Sequence, residues 1–288
     1  MTFDPLLLSL AIGVNLCAAV GAYAKRAVSG SGAVGGLLVG AAILYTGGFL
    51  YWIALMLFFG SSTVASRLGG SVKERLSRVH EKSDRRDIVQ VVANAGVPVG
   101  ALLLLVVSGD PGFAVAAAAA FASANADTWA SEIGVLSRHP PRSILTRRTL
   151  EPGTSGGTTA LGSTAAAAGS LLIGLWFAGG FLLSRWTGGA ALWQGFATVP
   201  HSPVTASAVV FLAGTLGSMI DSVLGATIQG QFETPDGSYT ERRFSESAEG
   251  PVRNRRVRGI RFVTNDLVNL LTSALSATLG ALMAGLVL

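Results

Sequence analysis

Residues 114–134 read A-V-A-A-A-A-A-F-A-S-A-N-A-D-T-W-A-S-E-I-G. The first half is uncharged and apolar. The second half carries two carboxylates, Asp127 and Glu132, among Asn125, Thr128 and Ser131. A bilayer core of about 30 Å takes roughly 20 helical residues, so a segment of this kind is a candidate membrane span. An ionisable side chain in such a span is costly, and it faces a bundle interior or a water-filled cavity. At about 100° per residue, Asn125, Asp127, Thr128, Ser131 and Glu132 fill an arc of roughly 160°. Ala126, Trp129, Ala130 and Ile133 are left for lipid or packing partners.

The rest of the chain agrees with a membrane reading. Half of its 288 residues are apolar and 13% are charged, where a soluble domain carries about 25% charged residues. Mean hydropathy is +0.54. Eight spans are expected, at about 5–24, 32–47, 48–67, 88–107, 111–136, 158–182, 204–229 and 264–287. The second is short and glycine-rich, so the range is seven to nine. The expected fold class is all-α: a polytopic integral membrane protein forming one transmembrane domain over residues 1–288. Ahead of the first span there is no basic stretch, nor a small-residue cleavage site, so this span is expected to be retained. Cys17 stands alone, which excludes a disulfide framework and a thiolate metal site.

Basic residues set the expected orientation. Twenty of the 21 Lys and Arg follow the first, third, fifth or seventh span, and only Arg185 falls on an alternate connection. The positive-inside rule then puts those four loops in the cytoplasm and both termini outside, in the cytoplasmic (inner) membrane. The net charge of +5 follows from this asymmetry. No nucleic-acid recognition module accompanies it, so nucleic acid is not an expected partner.

Three other spans carry polar faces toward the same leaflet. In G-T-L-G-S-M-I-D-S-V-L-G-A, Gly214, Ser218, Asp221 and Gly225 share one helical face, and small residues there allow close backbone approach. In T-N-D-L-V-N-L-L-T-S-A-L-S, Asn265, Asn269, Thr272 and Ser276 form a stripe flanked by Asp266 and Ser273. In R-R-D-I-V-Q-V-V-A-N, Asp87, Gln90 and Asn94 follow i, i+3, i+7 spacing behind Arg86. Asn15, Ser276 and Asn94 also suit plain helix-to-helix hydrogen bonding. Four carboxylates at one depth repel unless a cation sits among them. Asp127, Glu132, Asp221 and Asp266 are therefore candidate metal-binding and catalytic groups, and their hard oxygen ligands favour Mg²⁺.

The loops offer a complement to phosphate. R-R-T-L-E-P-G-T-S-G-G-T-T places Gly153, Thr154, Ser155, Gly156 and Gly157 before a span that starts on the cytoplasmic side, beside Arg147 and Arg148. Backbone N–H groups and a helix N-terminus there favour an anion, and Gly156→Val is expected to weaken phosphate binding in a folded protein. No Gly-Lys-Ser/Thr follows, so this is not a Walker loop. S-G-S-G-A-V-G-G at 29–36 is a weaker copy, better explained by close helix packing. The loop near 230–261 is the one small cytoplasmic element expected. Its P-D-G between short alternating runs predicts a hairpin, and S-E-S-A-E-G-P-V-R-N-R-R-V-R after it reads as solvated or headgroup-facing. His80, His139 and His201 are scattered and form no cluster.

D-T-W-A-S-E, P-G-T-S-G-G, D-S-V-L-G-A and N-D-L-V-N, in this order and with R-R-D-I-V-Q-V-V-A-N, resemble the polytopic membrane family of plant phytyl-phosphate kinase and animal transmembrane protein 19. That family is distantly similar to dolichol kinases and phosphatidate cytidylyltransferases. The resemblance spans nearly the whole chain. One departure is that relatives carry cysteines and a histidine before N-D-x-V-N and this chain carries none there. What the resemblance implies is a kinase turning an isoprenoid (prenyl or phytyl-type) monophosphate into the diphosphate, with CTP or another NTP and Mg²⁺. Lys73, Arg86, Gln90, Asn94, Asn125, Thr128, Ser131, Asn265, Asn269 and the 153–157 loop would then hold nucleotide or lipid phosphate. The alternatives are a CDP-lipid-forming cytidylyltransferase and a transporter of an ion or phosphorylated lipid. Expected partners are the isoprenoid monophosphate, the nucleotide and the bilayer, with homo-oligomerisation left open.

Overall fold

The structure, a computed structural model, describes residues 4–70, 85–186, 203–247 and 250–287. Among these are seven helices: α1 (Pro5–Ala24), α2 (Gly30–Arg67), α3 (Ile88–Ser108), α4 (Gly112–Gly134), α5 (Ala160–Trp186), α6 (Pro203–Thr227) and α7 (Asn265–Val287). All but α4 are long and apolar enough to cross a membrane. The chain is thus an all-α polytopic membrane protein, as its composition requires.

The expected second and third spans are the two arms of α2. Gly48 breaks the helix with φ 70 and ψ −169, a conformation open to glycine. That the arms fold back on one another follows from what they touch. Gly32 lies against the Arg86 carbonyl, and Thr63 accepts from Arg86 Nη1 at 3.0 Å. In an unbroken helix these positions would be roughly 46 Å apart. Likewise Asn15 of α1 meets both arms: its Oδ1 accepts from Trp52 at 3.0 Å and sits against Gly40. Gly32 and Gly35 pack on Arg86 and Ile88, so these two of the 29–36 glycines serve helix packing.

At the centre is α4. Every residue from Ala114 to Ala126 is buried. Asn125, Asp127 and Glu132 lower its hydropathy, and its alanines explain its place: with little side chain to hold them off, α2, α3, α5, α6 and α7 all pack on it. Gly280 of α7 approaches Ala119, and Gly214 of α6 approaches Ala122. Polar threads tie the ring together. Ser276 donates to the Ala213 and Ala119 carbonyls at 2.9 and 3.2 Å, and Tyr51 donates to the Ala114 carbonyl at 2.9 Å.

The connections gather at two ends. At one end Arg86 pairs with Val28, Leu136 covers Gly69, and the 135–159 and 228–264 segments meet. This is called the loop end below. At that end β1 (Arg142–Ser143) and β2 (Gly157–Thr158) form a two-stranded ladder. Strands β3 (Gln231–Glu233), β4 (Tyr239–Thr240) and β7 (Arg255–Arg258) form a sheet in the order β4-β3-β7, and β5 (Phe244–Ser247) pairs with β6 (Gly250–Arg253). The P-D-G hairpin forms as the turn residues dictate, with Gly237 at φ 86. The stretch after it is a second hairpin and a return strand, not merely a solvated segment. Its strands pair with one another and with Gln231–Glu233.

Candidate functional site

Close packing of α4 and α6 builds the centre of the site. A Cβ on Gly214 would lie 2.5 Å from that of Ala122, and one on Gly217 would lie 2.1 Å from Ser123 Oγ. The helices run parallel here, so the same register one to two turns on sets Asp221 opposite Asp127. The two side chains are within hydrogen-bonding reach of each other. Thr272 of α7 donates to Asp221 Oδ2 at 3.2 Å, and Glu241 is close enough to act on Asp221 electrostatically. Two carboxylates this close repel unless a proton or a cation lies between them.

The Gly-rich loop packs on Gly225 and Ala226 of α6, about one turn beyond Asp221. Gly153 and Gly156 have φ 86 and 81, as glycine alone adopts readily. Gly156 seats on Ala226 at the end of α6, where a Cβ would come within 2.6 Å of the Ala226 Cα. Gly156→Val would thus collide with α6 backbone, so the position is required by packing and the variant is not a clean probe of phosphate binding. Ser155 donates to Glu241 Oε1 at 2.8 Å, Gln229 donates to the same oxygen at 2.7 Å, and Arg258 donates to the Ser155 carbonyl at 2.9 Å. Burial draws the Arg258 guanidinium below its usual range. Thr154 accepts from the Gly157 N–H at 3.0 Å.

The four predicted carboxylates do not share one cluster. Among the described residues no three His, Cys, Asp or Glu side chains group closely enough to hold an ion together. Asp127 and Asp221 form the pair. Glu132 is not part of that pair; it acts electrostatically on Arg86, whose guanidinium is drawn below its usual range by burial and partly restored by Glu132. Asp266 is buried at the start of α7. On α7, Asn269 Oδ1 and Ser273 Oγ are buried without a hydrogen-bond partner among the described residues. Asn269 lies one turn nearer the loop end than Thr272, on the same stripe. Two carboxylates with an orphaned amide oxygen nearby suit Mg²⁺, which is commonly held by one or two carboxylates, water and phosphate oxygens.

Several predicted residues are occupied by the fold. Asn125 is fully buried, accepts from Ser61 at 3.0 Å and donates to the Gly169 carbonyl at 2.8 Å. Gln90 completes a capping box with Asp87, and Asn94 donates to the Gln90 carbonyl at 2.9 Å. Thr128 and Ser131 donate to carbonyls of their own helix, those of Ala124 and Thr128. Arg86 also lies over the Phe59 ring at 5.1 Å. Asn265 is exposed at the mouth of α7. Lys73 lies outside the described residues.

Residues 13–277 match the family described as integral membrane protein DUF92. The chain belongs to the DUF92 family. It is 30% identical to Protein PGR of Arabidopsis thaliana over 94% of both chains. It is also 33% identical to an uncharacterised membrane protein of Methanocaldococcus jannaschii, over 55% of this chain and 64% of that one. No solved structure matches.

Four residues of this DUF92 site went unassigned in the sequence: Thr272, Gln229, Glu241 and Arg258. Thr272 was visible on the α7 stripe, yet a hydroxyl there resembles any helix-packing group. The other three belong to the end of α6 and to the loop-end sheet. Only the antiparallel return of β7 beside β3 brings Arg258 to the Gly-rich loop, and no local periodicity encodes that pairing.

Proposed function

We propose that this DUF92 protein is a membrane-embedded kinase that converts an isoprenoid monophosphate to its diphosphate with CTP or another nucleoside triphosphate. The observation that carries the reading is the Asp127–Asp221 pair, set among apolar helices and beside a Gly-rich loop braced by Arg258. Resemblance of the ordered motifs to phytyl-phosphate kinase relatives supports it.

In this reading the prenyl tail lies between helices and its phosphate reaches the loop end. An oxygen of that phosphate attacks the terminal phosphorus of the nucleotide. The bond from that phosphorus to its bridging oxygen breaks, and the nucleoside diphosphate leaves. The attacking phosphate is already largely ionised near neutral pH, so no strong base is required. Phosphoryl transfer depends on positioning and charge neutralisation. Asp127 and Asp221, with Asn269 near them, would hold Mg²⁺, which when bound neutralises phosphate charge. Thr272 orients Asp221, Gln229 and Glu241 fix the Gly-rich loop, and Arg86 and Glu132 add charge at the same end of the bundle.

The experiment is direct. Purified protein is incubated with Mg²⁺, each nucleoside triphosphate, and prenyl alcohols, prenyl phosphates or phosphatidate, and the products are identified by mass. A prenyl diphosphate with a nucleoside diphosphate supports the reading. A CDP-lipid with pyrophosphate would assign a cytidylyltransferase instead, and absence of turnover with every combination would remove the enzyme reading.

A further inference from the structure

A second feature of the loop end lies apart from the carboxylate pair. A cavity of about 370 Å³ is lined by Phe232, Arg243, Arg253, Asn254, Arg256 and Arg261. Four of its six walls are guanidinium groups, and no carboxylate is among them. Its size falls within the roughly 300–1,000 Å³ typical of small-molecule sites.

Three of the walls stand on strands: Phe232 on β3, Arg253 on β6 and Arg256 on β7. Phe232 is buried on the central strand β3, in register with Arg256 of β7. Asn254 is buried between β6 and β7 and clamps the second hairpin. Its Nδ2 donates to the Arg242 carbonyl, its backbone N–H donates to the Arg243 carbonyl, and its Oδ1 accepts from Ser245, each at 2.9 Å. One aromatic ring braces two of the cations: Arg243 and Arg261 lie 5.5 and 5.7 Å from the Phe262 ring centre. Such contacts orient guanidinium groups without neutralising them.

Charge is distributed selectively along β7. Arg255 points away from its neighbour and pairs with Glu233. Arg243, Arg253, Arg256 and Arg261 have no carboxylate partner among the described residues. Four like charges around one cavity repel each other, and an anion relieves that repulsion. The planar fork of guanidinium donors matches phosphate oxygens, often two at a time.

We propose that this arginine-lined cavity is a binding site for phosphate groups, supplied by a soluble polyphosphate such as a nucleotide or by an anionic lipid headgroup. No residue of its lining belongs to the Asp127–Asp221 site, and its occupancy does not require the kinase reading to hold.

The test uses the full chain, in phosphatidylcholine nanodiscs for the first arm and in detergent for the second, with EDTA present so that binding does not run through a cation at the carboxylates. In one arm pyrophosphate and CTP are titrated by calorimetry at two salt concentrations. In the other arm native mass spectrometry counts phosphatidylglycerol retained by the protein in detergent against phosphatidylcholine. Each arm compares wild type, the double variant Arg243→Gln/Arg256→Gln, and Arg255→Gln. Binding in at least one arm is expected, weaker at higher salt and weakened about tenfold or more by the double variant. Arg255→Gln should leave it within about twofold, because that side chain faces Glu233. Binding in the first arm alone names a soluble polyphosphate, and binding in the second alone names a lipid headgroup. If the double variant does not fold, Arg261→Gln replaces it with the same expected direction. Absence of anion binding by wild type in both arms, or equal binding by the cavity variant and Arg255→Gln, overturns the proposal.

Discussion

At Asp221 the chemistry of a single side chain depends on three helices. Its carboxylate faces Asp127 of α4 and accepts from Thr272 of α7. Thr272→Val keeps the shape and removes that hydrogen bond. Losing a hydrogen bond to a charged group costs about 1.5–3 kcal/mol, so steady-state turnover should fall about tenfold or more while the detergent-solubilised protein keeps its melting temperature within a few degrees. Unchanged turnover would make Thr272 a packing residue only. The two aspartates were legible as polar intrusions in apolar spans, because a carboxylate there needs a reason. That Glu132 stands apart from the pair and acts on Arg86 was not legible, because Arg86 comes from a segment far away in sequence. Asn125 shows the reverse case. Its position looked functional, yet its amide joins Ser61 of α2 to the Gly169 carbonyl of α5.

Among elements, the contact of α4 with α6 decides whether the site exists. Gly214 is where α6 meets the backbone of α4, since a Cβ there would lie 2.8 Å from the Ala122 carbonyl carbon, and backbone cannot yield as a side chain can. Gly214→Ala should therefore destabilise the protein by about 1–3 kcal/mol through overpacking, and it should lower turnover by moving Asp221 from Asp127. Gly36→Ala, whose Cβ meets nothing within 4 Å, is the control and should be neutral or slightly stabilising through helix propensity. A melting series on both variants checks this, and equal melting temperatures would show that the helices are not held at contact distance here. The G-x-x-x-S-x-x-D-x-x-x-G spacing makes this face of α6 readable from the sequence, because small residues and the carboxylate recur at helical period. The two-armed shape of α2 is equally readable from Gly47 and Gly48. The loop-end sheet is half readable: P-D-G announces the first hairpin, whereas β5, β6 and β7 carry arginines and small residues with little alternation and are fixed by pairing.

For the whole molecule, the 135–159 and 228–264 segments gather at one end. The charge asymmetry leads us to propose that the loop end faces the cytoplasm. In a Cys17→Ser background, cysteines at the exposed positions Thr146 and Ser238 should resist an impermeant thiol reagent in intact cells, and one at Asp110 should react. The opposite pattern would invert the protein. The account as a whole stands on the carboxylate pair at that loop end. Its most direct test is turnover of a prenyl monophosphate with Mg²⁺ and CTP by wild type, Asp127→Asn and Asp221→Asn, each first shown to insert and purify as a folded protein. Both substitutions keep size and remove charge. Wild type should form the prenyl diphosphate, and each variant should lose about a hundredfold or more of that rate, the scale on which one electrostatic group at a reacting centre acts. Full activity in both folded variants would contradict the account and leave Asp127 and Asp221 as groups that hold α4 to α6.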